Sequence, residues 1–224
     1  MLARMTAVAE SVSRRGRPAA ASREDVLAAA MYRYLRGRRI DVQAIASEVG
    51  LGRTTIYRWF GSREGLIGEV LFRASEPIID EARRRARGRG AAALLDTFDR
   101  INRALVAAPA LRQFLEQERG VALRIITSSG GVVQPRAVER ITELIEDEIR
   151  AGTYGPSVEP ATLAYAIVRL AEAFLYNDAV AGIRGEVDRL REIEAAILGV
   201  AERHHEPTPA SRPGPREREA PRPQ

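Results

Sequence analysis

Apolar residues recur at intervals of three and four along most of this chain, and no stretch of useful length alternates with the period of two expected of a half-buried strand. Ser22, with Asp25 three residues on, has the form of a helix cap, and Val26, Leu27, Ala30, Met31, Tyr34 and Leu35 then share one face until Gly37. Asp41 is expected to cap a short second helix, Val42 to Val49, with Ile45, Ala46 and Val49 as its apolar edge and Gly50 as its end. On a third helix Ile56 and Phe60, four apart, should face inward, leaving Thr54, Tyr57 and Arg58 to point elsewhere, with Arg53 and Arg63. A longer fourth helix opens near Ser62, with Leu66, Ile67, Val70, Leu71 and Ala74 inside. Pro77 is expected to kink or divide it, because proline removes a backbone donor and clashes with the preceding turn.

Beyond a charged junction from Arg83 to Gly90 the helical period continues. Leu94, Leu95, Phe98, Ile101 and Leu105 mark one helix, Pro109 opens another with Leu111, Phe114 and Leu115, and Ala122 to Thr127 continues helically to a break at Ser128-Ser129-Gly130-Gly131. Val138, Ile141, Leu144, Ile145 and Ile149 mark a further helix ending near Gly152. Two more run from about Glu159 to Val180 and from about Glu186 to Ala201. The pattern predicts an all-α fold with four parts: a basic, disordered arm over residues 1–21, a three-helix unit over 22–68, a helical body over 69–205, and a disordered tail rich in proline and arginine over 206–224, with too little apolar surface to order itself.

Composition narrows the chemistry. Cysteine is absent among the 224 residues and the two histidines are neighbours, His204 and His205, so thiolate metal sites and histidine-based triads are not expected, nor is any metal or cofactor. No apolar run approaches the roughly 20 residues that cross a bilayer, and no signal-peptide core is seen at the start; a cytoplasmic protein without a membrane partner is expected. All 35 basic residues are arginine. Residues 1–90 hold 18 of them against 10 acids, whereas residues 91–205 hold 13 against 17. A basic first third on a mildly acidic body suits a protein that presents one end to a polyanion. Within the arm, Arg15-Gly16-Arg17-Pro18 resembles the core of minor-groove AT-hook arms; a solvated basic terminus is the plainer reading.

The run from Ile45 to Leu66, containing GLGRTTIYRWFGSREGL, resembles the DNA-binding signature of the TetR family of transcriptional regulators. That resemblance implies a three-helix helix-turn-helix unit that sets its third helix in the major groove of double-stranded operator DNA, ahead of a helical domain for ligand binding and dimerisation. Arg53, Thr54 and Thr55 open that helix, where side chains reach base edges and backbone N–H groups face phosphates. Tyr57 lies one turn on and offers a hydroxyl and an apolar ring. Arg58, Trp59 and Arg63 are placed to hold the DNA backbone, Trp59 with packing as an equal alternative, and Gln43 on the second helix can donate to a phosphate. Ile45, Val49, Leu51, Ile56 and Phe60 are core. Asp41 departs from the threonine common in the family and is read as a cap.

One reader of this size touches few base pairs, which calls for a homodimer on a quasi-palindromic site. The last two helices are expected to pair with their copies: Leu163, Ile167, Leu170 and Phe174 form one stripe, Ala164, Val168, Ala171 and Leu175 another, and Leu190, Ile193, Ile197 and Val200 a third. Tyr165, Arg169, Glu172 and Tyr176 make a polar file that would line a small-molecule effector cavity, form an internal ion pair, or edge the dimer interface. Arg112, Phe114, Arg124, Thr127 and Ser128 are further candidates for the cavity. The stretches RQFLEQERGVALRIITSSGGVVQP and YAIVRLAEAFLYNDAVAGI are similar to a TetR subgroup linked to quorum-signal degradation, the QsdR type, which implies a lactone-like effector. Two other readings remain: a ligand-independent DNA-binding protein, and an enzyme with an accessory helix-turn-helix. The second finds no nucleophile–base set, phosphate loop or metal-ligand cluster in the body.

Overall fold

The computed structural model describes residues 21–177 and 186–200; the basic arm before them, the tail after them and the segment 178–185 lie outside the described residues. Ten α-helices and no strand occur among the described residues. The first helix, α1 (Arg23–Leu35), starts on a capping box in which Ser22 Oγ accepts from the Asp25 N–H and Asp25 Oδ2 accepts from the Ser22 N–H. Asp41 Oδ1 accepts from the Gln43 N–H at 2.8 Å and so caps α2 (Val42–Glu48). The third helix, α3 (Arg53–Phe60), follows α2 after four residues and packs on both α1 and α2.

Gly61, at a φ of +74°, closes α3, a left-handed turn that a side chain would strain. Ser62 Oγ then caps α4 (Arg63–Arg85) by accepting from the Gly65 N–H. A Cβ on Gly65 would stand 2.0 Å from the Phe60 carbonyl oxygen, so glycine is what lets α3 and α4 meet so tightly. Pro77 does not divide α4, which runs unbroken for 23 residues. One lost backbone bond is outweighed because Ile79 and Ala82, in the following turn, are buried against the body.

The body holds α5 (Ala91–Ala107), α6 (Pro109–Gln117), α7 (Arg119–Thr127), α8 (Val133–Arg150), α9 (Pro160–Glu172) with a π-helical extension over Ala173–Asn177, and α10 (Glu186–Leu198). Helix α8 begins earlier than its apolar period suggests, at Val133. Buried residues fall into two clusters. One joins Val26, Ile45, Ile56 and Leu66 of the first four helices to Leu111 and Phe114 of α6 and Ile125 and Ile126 of α7. The other is built by the end of α4 with α5, α8, α9 and α10. Two body helices therefore complete the core of the N-terminal unit. Among the described residues no helix is long and apolar enough to cross a membrane.

Candidate nucleic-acid interface and internal cavity

Helix α3 is two-faced over only eight residues. Ile56 and Phe60 are buried, the Phe60 ring under the Arg23 guanidinium at 4.6 Å, while Arg53, Thr54, Tyr57 and Arg58 are exposed. Tyr57 is 42% exposed, a large hydrophobic residue left in solvent. Arg53 and Arg58 have no ion-pair partner among the described residues, in a protein where most other arginines do. The helix opens at Gly52 without a side-chain cap; the Thr55 N–H donates to the Gly52 carbonyl at 3.0 Å, and the Arg53 and Thr54 N–H groups before it carry no cap. Thr55 is half-buried, Trp59 is half-buried and packs against the first cluster, and Gln43 of α2 is exposed.

Arg63 is not part of that exposed row. Its Nε donates to the Ile40 carbonyl at 2.8 Å, Nη1 to Glu118 Oε2 at 2.8 Å, and Nη2 to Glu118 Oε1. The Arg63 hydrogen bonds hold the Glu118 carboxyl below the usual carboxylate range, with Arg39 adding to it. Gln117 also donates to the Gly37 carbonyl at 3.1 Å, and Arg124 of α7 pairs with Glu64. The residue expected to hold DNA instead ties the start of α4 to the end of α6.

A cavity of about 310 Å³ lies between α1 and α4 to α10. Its walls are mainly Leu, Ile, Phe, Ala and Val, and its polar lining is Tyr34, Ser75, Asn102, Glu172, Tyr176 and Glu194. Of the nine residues named for it from sequence, Glu172 and Tyr176 line it. Burial is the main cause raising both of their pKa values. Arg112 lines a second cavity of about 260 Å³ that shares Tyr176 with the first. Phe114 is core, edge-on to Tyr34 with ring centroids 6.4 Å apart. Arg124 is exposed, as is Tyr165, while Thr127 and Ser128 are half-buried outside the lining. Arg169 sits outside it too, donating to Glu172 Oε2 at 2.7 Å and to the Thr127 carbonyl at 3.0 Å.

Sequence periodicity missed Asn102 and Glu194. Glu194 is wholly buried, and Asn102 Nδ2 donates to its two oxygens at 3.1 and 3.4 Å. The inward face of α10 is Leu190, Glu194, Ala195 and Leu198, so of the stripe expected to act together only Leu190 is buried. Ile193 and Ile197 are 37% and 40% exposed.

Residues 89–199 match the family described as tetracyclin repressor-like, C-terminal domain. No curated protein sequence matches the chain. Among solved structures the chain is similar to the R. erythropolis transcriptional repressor QsdR from the TetR family, at 28% sequence identity over 82% of this chain and 97% of that one, with a TM-score of 0.77. It shares its fold with the TetR family repressor AlkX from Dietzia sp. strain DQ12-45-1b, implicated in biodegradation of n-alkanes, at 23% identity over 83% and 96% of the two chains and a TM-score of 0.55.

Proposed function

We propose, from the match of its body to the tetracyclin repressor-like C-terminal domain and its likeness to QsdR, that this chain is a TetR-family transcriptional regulator, a homodimeric repressor released from a palindromic operator when a small molecule fills its cavity. The exposed row on α3 carries this reading: two arginines without an ion-pair partner among the described residues and a tyrosine, on a helix whose other face is anchored in the core. Arg53, Thr54 and Tyr57 read base edges, and Arg58, Gln43 and the free N–H groups at the start of α3 hold phosphates. Trp59 and Thr55 contribute at the edge of the contact, and Arg63 acts through the docking of α4 rather than on DNA. Ile193 and Ile197 on α10, with Tyr165 on α9, supply an apolar outer face that a second copy would cover.

The cavity is joined to the reader by two helices. Leu71, Phe72 and Ser75 of α4 line it, and α4 starts directly after α3. Pro109 and Leu111 of α6 line it as well, and α6 ends at the residues that grip Gly37 and Arg63. A ligand that displaces these walls turns the reader against the body and changes the separation of the two α3 helices in the dimer. The effector is a small, largely apolar molecule.

Selection of duplexes from a random pool by the purified protein tests this. The expected result is a palindrome with half-sites about one or two turns apart, bound by two protomers as weighed by sedimentation. A monomer on DNA, or binding without sequence preference and with a steep salt dependence, would replace the sensor by the ligand-independent reading.

A further inference from the structure

Two carboxyl groups line a cavity that is otherwise almost wholly apolar. Glu172 is 6% exposed and Glu194 is fully buried, and among the described residues no arginine or histidine joins them in the lining. They are not equivalent. Glu172 has the Arg169 guanidinium at 2.7 Å. Glu194 is bonded by the neutral amide of Asn102, and its burial, with Asp99 adding like charge, outweighs that bond and the attraction of Arg191 and pushes its carboxyl up to about 7. It stands on α10 beside Leu190, Ala195 and Leu198, where an apolar side chain of similar volume would suit the bundle better. Among the described residues no salt bridge reaches Glu194, and a buried carboxylate so placed is unfavourable until a cation contacts it, so the cavity next to Glu194 is selective for charge.

Resting on the effector reading above, we infer that the cavity takes a lipophilic amine, with its apolar body on the Leu, Ile and Phe walls and its protonated nitrogen against the Glu194 carboxylate. Tyr34, Ser75 and Tyr176 are the hydroxyl-bearing residues of the same lining. Tyr34 lies on α1, so a ligand seated there touches the reader directly. A fatty carboxylate puts a third negative charge into low-dielectric space and is the worst ligand. A neutral lactone, the effector implied by the QsdR-type resemblance, brings acceptors only; it can bond to Glu194 when that carboxyl is protonated and leaves its charge uncompensated when it is not.

Calorimetric titration of the full-length protein at pH 8, with Glu194 mostly ionised, tests this with four probes of similar size: 4-phenylbutylamine, 4-phenylbutan-1-ol, 4-phenylbutanoate and γ-phenyl-γ-butyrolactone. The amine is expected to bind at least tenfold more tightly than the alcohol, and the carboxylate most weakly. Glu194→Gln is expected to bring the amine to the level of the alcohol while the alcohol stays within twofold. The ranking on the unaltered protein stands as a test even if the variant folds poorly. A lactone or alcohol that matches the amine overturns the inference, as does an amine advantage that survives Glu194→Gln. Neutral probes whose binding is abolished by the cavity-filling Ala171→Trp would still uphold the sensor, whereas no binding by any probe removes both readings.

Discussion

Tyr57 on α3 and Tyr176 in the extension of α9 are each a hydroxyl-bearing ring on a helix with an apolar face, yet one stands in solvent and burial raises the pKa of the other. The charged groups near them differ in the same way. At the tip of the reader, Arg53 and Arg58 are exposed without an ion-pair partner among the described residues; in the cavity, Glu194 is buried, hydrogen-bonded by the Asn102 amide, with Arg191 and Asp99 acting on it in opposite senses. An exposed charge is solvated and costs little, so the reader can wait for a polyanion and gain from releasing its counterions. A buried charge is held against solvation, so it favours one small ligand of opposite sign. Uncompensated charge thus points to different ligands at the two ends because the surroundings differ.

The largest effects separate the two faces of α3. Arg53→Ala combined with Tyr57→Ala should lower operator affinity by about 100-fold or more, at roughly 1–3 kcal/mol for each contact, with an unchanged thermal midpoint. Ile56→Ala, on the same helix, should instead remove about 2–5 kcal/mol of folding stability. Equal unfolding by both variants, measured in denaturant, would erase the distinction between the faces.

Glu194 sharpens the other side of the comparison. Its carboxyl ordinarily titrates at 4.5 and is pushed up to about 7 in the fold. Below pH 4.5 both states are protonated and no penalty arises. As pH rises from there to about 7 the unfolded chain ionises first, so stability falls, by roughly 3 kcal/mol in full. Glu194→Gln should lack that slope in urea titrations between pH 4.5 and 8, and a slope that persists would assign the pH dependence to other groups.

Smaller effects follow. Glu118→Ala strands Arg63 and should cost about 2 kcal/mol, with faster amide exchange at the start of α4; unchanged exchange there would show that α6 does not hold the reader. Arg58→Ala should reduce the salt slope of operator binding by about one, with little change in which sequences bind.

The reader was largely legible before folding was considered. The caps at Ser22 and Asp41, the burial of Ile56 and Phe60 and the exposure of Tyr57 depend on spacing within a turn or two. Arg63 was not, because its partner Glu118 is 55 residues away and no local pattern announces it. The cavity was legible in part: the polar file on α9 brought in Glu172 and Tyr176, but Arg169 of the same file points out to the Thr127 carbonyl. On α10, counting apolar residues grouped Leu190 with Ile193 and Ile197 and passed over Glu194, since a glutamate on an inward face looks like the solvent side of a helix.

Helix identity, caps and the two faces of α3 came from the chain alone, because they rest on interactions between residues three or four apart. The tertiary structure alone decided that Arg63 serves α6, that Pro77 leaves α4 whole, and that Glu194 meets Asn102 from 92 residues away inside a cavity. Those outcomes depend on which helices come to share a core, and a one-dimensional period carries no record of that partnership.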